Sequence, residues 1–383
     1  MKTKTELKSL VLRSLRSQGF AIRGGEIAKG DDRDKAVLRS LHTIAVHHRI
    51  EQARARLERY ENELLHKIAS GREVKPAEIK PRLVEVQPDS FDELLFRYAR
   101  LHWSIPVSAG YGRRLRFVIY DDANNRLMGI IGLGDPIFAL GPRDRWVGWD
   151  LEAKRQRLQC TMEAFVLGAV PPYSNLLCGK LVAMLLSSNE VRFAFRRKYQ
   201  GKRSVVSGRP LDGRLALLTT TSALGRSSLY NRIRFHGDEV YTSVGFTLGS
   251  GEFQFSNGVY LELRKFGSRY CSATAKNENW GIGFRNKREV LRKVLPRLGL
   301  SAKLLYHQVE REVFVVPLAK NSQAFLRGEH GRLQWIDRPA TEIFASFRNR
   351  WLLPRADRDP SYVSFEREAY RLWPSAGVND KRE

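Results

Sequence analysis

The chain has 383 residues, 42% of them hydrophobic, enough for two or three domains with real cores, and this excludes a wholly disordered polypeptide. Lysine and arginine number 66 against 41 acidic residues, a net charge of +25, and arginine exceeds lysine more than twofold, which suits planar, bidentate contacts to phosphate or carboxylate. No apolar run reaches the ~18 residues that span a membrane, the charged start MKTKTELKSLVLRSL lacks a signal peptide's apolar core, and Cys160, Cys178 and Cys271 are too scattered for a disulfide framework or a zinc site, so a cytoplasmic protein is expected.

In chain order, Leu7, Leu10, Val11, Leu12 and Leu15 form a helical stripe over residues 3–17. Asp34 to Gly71 reads as one or two long helices with an Asp N-cap, so residues 1–71 are expected to form a helical module. Prolines at 76, 81 and 88 mark residues 72–88 as a linker or strap, and helix resumes with Asp89 as its N-cap. An α/β core over 89–257 is expected to hold a hairpin of Leu115–Tyr120 and Leu127–Leu133, and a strand AFVLGAVPPY. After that strand come a helix from Ser174 to Ser188 and a further strand, Leu215–Thr221. A mixed α/β part over 258–356 carries a helix near Tyr260–Phe266, a basic helix Asn286–Leu298 and a strand Arg311–Ala319, and the tail 357–383 is expected to be partly disordered. The fold class is therefore mixed, α+β.

The chemistry concentrates at two strand-to-helix joints. In TTTSALGRSSLYNRI, Thr219–Ile233, Gly225 permits close backbone approach, Ser227 or Ser228 can cap a helix whose free N–H groups favour an anion, and Arg226 and Arg232 add charge. In VPPYSNLLCGKLV, Tyr173, Ser174 and Asn175 precede a helix with Gly179 and Lys180 in its second turn. Ligands of open α/β sheets collect outside the carboxyl ends of strands, so the two joints define a crevice for phosphate; simple turn capping by the hydroxyls is the competing reading. The GxxxxGK[ST] spacing of a Walker loop is absent. Asp135, Asp144 and Asp150, with Glu163, are the residues to hold a divalent cation if one is bound, and Asp135, Asp144 and Tyr230 are the weak catalytic candidates; turn formation, ion pairing and helix capping are the favoured reading of the three aspartates, and no metal site is assigned.

For nucleic acid, Arg33, Arg39, Arg49, Arg54, Arg56 and Arg59 supply one basic face, and Arg285, Lys287, Arg288, Arg292, Lys293 and Arg297 another. Arg113 and Arg114, near Trp103 and Tyr111, add an aromatic one.

The phrases LFRYARLHWSIPVSAGYGRRLRFVIYD, GLGDPIFALGPRDRWVGWD, AFVLGAVPPYSNLLCGKLVAML, TTTSALGRSSLYNRI, GFTLGSGEFQF and REVFVVPLAKN resemble the DruA family of Druantia anti-phage systems, from about residue 5 to about residue 355. The resemblance implies an antiviral defence protein working beside other Druantia components, a helicase-like protein among them, and implies no particular reaction. The core is also similar, more distantly, to the GCN-five-related acetyltransferase fold. Enzymes of that type hold the coenzyme A pyrophosphate with an [RQ]xxGx[GA] turn, where this chain has SNLLCGKL, so acetyl-CoA is not expected and no cofactor is assigned. Three functions remain open at this point: DNA binding as a defence component, an enzyme acting on nucleic acid in the crevice, and a scaffold for partner proteins; a homo-oligomer is open as well.

Overall fold

The computed structural model describes residues 2–30, 34–107, 112–204, 208–274 and 286–374. The helices in chain order begin with Lys4–Ser17 (α1), Lys35–Ser40 (α2), Thr43–Leu57 (α3), Glu61–Leu65 (α4) and Phe91–Ala99 (α5). They continue with Gly141–Val147 (α6), Leu151–Arg157 (α7), Cys178–Leu185 (α8), Asn189–Tyr199 (α9), Val259–Tyr270 (α10) and Lys287–Arg297 (α11), and end with Ser322–Arg327 (α12), Ala340–Phe347 (α13) and Leu353–Arg358 (α14).

Two-residue strands Ile22–Arg23 (β1) and Glu26–Ile27 (β2) form a small ribbon, as do Arg234–Phe235 (β8) and Asp238–Glu239 (β9). The remaining strands are Pro81–Glu85 (β3), Arg114–Asp121 (β4), Arg126–Gly134 (β5), Thr161–Ala169 (β6), Leu217–Thr221 (β7), Thr242–Phe246 (β10) and Glu312–Pro317 (β11). They build a seven-stranded sheet in the order β10-β11-β7-β6-β5-β4-β3. Neighbours are antiparallel except β6 and β7, which run parallel from Thr161 opposite Leu217 to Ala164 opposite Thr220. Beyond that point β6 continues to Ala169 alongside β5, so β6 and β7 part at their carboxyl ends.

Alternation along the strands loads both faces of the sheet. On one face Phe117, Ile119, Met128, Ile131 and Met162 pack under α8, α9 and α13 through Leu181, Val182, Phe195 and Phe347. On the other, Val118, Tyr120, Ile130 and Val166 pack under α3, α4 and α5 through Leu57, Leu64, Phe96 and Tyr98. A third cluster joins α1 to α10 and α11 through Leu7, Val11, Leu15, Leu263, Phe266, Leu291 and Leu295.

This packing redraws the expected units. The first 71 residues contribute to two different cores, α1 to the helical cluster and α3 and α4 to the sheet. The strap 72–88 contains the edge strand β3, which Pro81 begins, a position where a missing N–H costs no ladder bond. The boundary at 257 and 258 runs through the sheet, because β11 pairs with both β7 and β10. The stretch from Asp34 is broken at His42 and again at Tyr60. Asp34 does cap α2, accepting from Ala36 N at 2.7 Å, whereas α5 is capped by Ser90 one residue after the expected Asp89. The tail is ordered through Trp373: Tyr370 and Trp373 are buried beneath Tyr98, and the Glu61 carboxylate accepts the Leu372 N–H at 2.6 Å and the Tyr98 hydroxyl at 2.8 Å. Residues 375–383 of the expected tail lie outside the described residues.

Candidate nucleic-acid interface

The opening hydroxyls of the TTTSALGRSSLYNRI motif serve the sheet. Thr220 Oγ1 donates to the Ala164 carbonyl at 3.1 Å, bridging the parallel pair, and Ser222 Oγ donates to the Gly225 carbonyl while accepting the Glu312 N–H at 2.9 Å. Where a helix was expected, only a single 3₁₀ turn follows, Tyr230–Arg232, too short for an appreciable helix dipole. Ser227 does cap it, its Oγ accepting from Leu229 N at 3.2 Å and Tyr230 N at 3.1 Å. The N–H of Ser227 is given at 2.8 Å to the carboxylate of Glu312, a residue only 3% exposed on β11. Ser243 Oγ donates to the same carboxylate at 2.8 Å and Asn231 Nδ2 at 3.2 Å. An internal anion therefore occupies the nest that the motif forms.

The second joint is also rearranged. A tight turn follows β6, and α8 begins at Cys178, so Lys180 lies in its first turn. Tyr173 is fully buried, donating its hydroxyl to Asp121 at 2.9 Å and accepting from Asn124 at 2.9 Å. Asn175 is exposed and accepts from Ser174 Oγ at 3.2 Å. The two joints do meet: a Cβ on Gly179 would stand 3.5 Å from Leu229 Cδ1. Tyr230 fills the space beside them, stacked on Tyr241 at 4.7 Å and edge-on to Phe314 at 5.1 Å, and burial pushes its phenol up to about 12.

What converges at this mouth is charge. Burial together with Arg232 and Arg350 holds the Lys180 ammonium below the usual lysine range, and Lys180 Nζ stands 4.8 Å from the centre of the Trp351 ring. Arg350 and Trp351 come from a widened π-helical turn, Arg348–Leu352, that follows α13, and the Arg350 guanidinium lies 4.6 Å from the same ring. Among the described residues no carboxylate pairs with Lys180, Arg232 or Arg350. Arg226 and Ser228 are exposed on the neighbouring turn.

The acidic candidates are spent elsewhere. Asp135 accepts from Arg113 Nε at 2.6 Å and from its N–H at 3.0 Å. Asp144 binds Arg143 at 2.7 Å and Lys154 at 2.8 Å; burial would raise its carboxyl, but these cations outweigh it and leave the carboxyl below the ordinary range. Asp150 caps α7 through Ala153 N at 2.7 Å, and burial raises the Glu163 carboxyl. Among the described residues no group of three His, Cys, Asp or Glu side chains is placed to hold a metal ion.

The basic faces are unequal. Arg113 is an internal strut, donating also to the Gln159 carbonyl at 2.7 Å. On α11, Arg292 is exposed, whereas Arg288 reaches Ser250 at 3.4 Å; Arg33, Tyr111 and Arg285 lie outside the described residues. On α3, Arg54 pairs with Glu58 at 3.0 Å, while Arg49 turns inward toward Arg100. Burial and the surrounding arginines push Arg100 down to about 10. The Arg350 and Trp351 contribution was missed by sequence reasoning; the alternation of arginine with aromatics in FRNRW was the available signal.

No helix among the described residues is long and apolar enough to cross a membrane. The chain is 36% identical over 378 residues to the Druantia protein DruA of Escherichia coli (strain UMEA 4076-1), covering 98% of this chain and 91% of that protein. No solved structure matches the chain. The model of the family Druantia protein DruA matches residues 32–328, and the chain belongs to the DruA family.

Proposed function

We propose that the chain is a component of a Druantia anti-phage defence system that contacts DNA through its arginine-rich surface and works beside the other components, a helicase-like protein among them. Family membership supports the defence role. The observation that carries DNA contact is the rim of Lys180, Arg232 and Arg350, in which both arginines repel the Lys180 ammonium and none of the three has an ion-pair partner among the described residues. Holding like charges together costs energy unless an anion is supplied, and elsewhere this chain supplies one, as Asp144 does for Arg143 and Lys154. A polyphosphate backbone meets that need with one anion per nucleotide.

The core is further proposed to share the acetyltransferase-type architecture, on the succession of hairpin, β6, α8 and β7 with one parallel junction. The joint after β6 carries SNLLCGKL and not that fold's pyrophosphate turn, so the architecture is proposed without its cofactor.

The test is duplex binding by fluorescence anisotropy across a salt series. Replacing Lys180, Arg232 and Arg350 together by glutamine should lower the slope of log affinity against log salt by roughly 0.9 for each phosphate that is no longer neutralised, and should reduce phage protection in plating assays. An unchanged slope in a normally folded triple variant sinks the assignment.

A further inference from the structure

A second cationic site lies on the α9 side of the molecule. Arg192, Phe193 and Arg196 of α9 face Arg214, which precedes β7, and Arg332 and Trp335, which follow α12, across a groove of about 400 Å³. That volume is within the ~300–1,000 Å³ common for ligand clefts. The Arg192 guanidinium lies 4.4 Å from the centre of the Trp335 ring and 4.8 Å from that of Phe193, so one planar cation contacts two aromatic rings. Both rings remain open to solvent, Trp335 at 37% exposure and Phe193 at 51%.

The platform is held in place before any ligand arrives. Arg192 donates to Asn189 Oδ1 at 3.1 Å, and Asn189 Nδ2 donates to Asp337 at 2.6 Å. Arg214 ties the opposite wall, donating to the Gly331 carbonyl at 2.6 Å and pairing at 2.6 Å with Asp212, the one carboxylate among the lining residues. Arg196 spends one N–H on Gln200 at 3.0 Å, and among the described residues neither Arg196 nor Arg332 has an ion-pair partner. Since Arg192 and Arg196 are four residues apart, they point the same way from α9, one turn along the groove.

We infer that this groove binds single-stranded nucleic acid, unpaired bases stacking on Trp335, Phe193 and the Arg192 plane while Arg196 and Arg332 take phosphates. The inference rests on the nucleic-acid reading proposed above and specifies the form of strand. A duplex offers its phosphates but hides the faces of its bases in its own stack, so exposed aromatic surface gains nothing from it. An unpaired strand uses both halves of the groove, and every base has a face to stack, which makes the site tolerant of sequence.

The experiment uses the full chain with fluorescein-labelled oligothymidylate and oligouridylate of about ten nucleotides, and a duplex of the same length as control. Trp335→Ala should weaken binding of the single strand about tenfold or more and leave duplex affinity unchanged, while Trp335→Phe, which keeps a stacking face, should lose much less. Arg196→Gln with Arg332→Gln, both exposed and so tolerated by the fold, should flatten the single-strand salt slope by roughly 0.7 for each phosphate that is no longer neutralised. The two strand chemistries distinguish DNA from RNA as the ligand. Unaltered single-strand binding in both sets of variants overturns the inference. If those variants bind normally while the Lys180, Arg232 and Arg350 triple variant loses binding, the general nucleic-acid reading stands and this one falls. If the unaltered chain binds neither form, both fall.

Discussion

Replacing Glu312 should release the loop that carries Arg226 and Arg232. Its carboxylate accepts three donors, the Ser227 N–H at 2.8 Å, the Ser243 hydroxyl at 2.8 Å and the Asn231 amide at 3.2 Å. Hydrogen bonds to a charged acceptor each contribute about 1.5–3 kcal/mol, but Ser243 and Asn231 are exposed and recover much of theirs from water. Ser227, half-buried, recovers less, so Glu312→Ala should cost about 3 kcal/mol in local stability. Glu312→Gln retains one acceptor oxygen and should cost about 1 kcal/mol. Amide hydrogen exchange followed by mass spectrometry reads the local opening directly. At about 1.4 kcal/mol per tenfold, the segment 222–232 should exchange roughly a hundredfold faster in the alanine variant and about fivefold faster in the glutamine variant, with the sheet core unaffected. Equal protection in the alanine variant and the unaltered chain would show that the loop is held by Leu229 and Tyr230 packing alone and would refute the assignment to Glu312.

Two further predictions concern the frame. Burial drives the His42 imidazole down to about 4 and, with Arg311 close by, His307 down to about 3, and burial alone does the same for His102. Each is neutral in the folded chain and binds a proton more readily when unfolded, so the stability they permit is intact above about pH 6.5 and is lost as pH falls toward their folded values. Urea midpoints should therefore drop between pH 6.5 and about 4, and His42→Asn should make that drop shallower; a midpoint independent of pH over this window contradicts the burial of these rings. In the second, a Cβ on Gly71 would clash with the Tyr362 carbonyl oxygen, so Gly71→Ala should lift the C-terminal segment off its seat against the Gly71 turn, α4 and α5 and expose it to limited proteolysis between residues 360 and 374. Overpacking of this kind costs about 1–3 kcal/mol, and an uncut segment argues that the backbone yields elsewhere.

Much of the frame was legible because its signals are local. Thr3 and Glu6 close a capping box, Asp34, Asp150 and Asn286 each cap a helix, and the β4–β5 hairpin follows from two apolar runs either side of a polar turn. Each lies within a window of a few to about twenty residues, where periodicity and capping operate. The arginine excess and the long family phrases were equally available without coordinates.

The functional surfaces were decided by partners distant in sequence. The sequence placed an anion at a helix N-terminus beside Ser227, whereas the chain forms a 3₁₀ turn there and the Ser227 N–H is taken by Glu312, eighty-five positions away, on a strand whose insertion between β7 and β10 no local pattern announces. Lys180 and Arg232 belong to the two joints that the sequence singled out, yet the third cation and its aromatic support come from a widened turn near residue 350. Trp335 and Arg192 are likewise ordinary surface residues until the chain folds them together. Composition and local pattern determined by themselves a basic chain of mixed helix and strand, and its long phrases carried the resemblance to the DruA family; which of its many cations are paired and which are left to meet a ligand is a question of distance, and distance exists only in the folded chain.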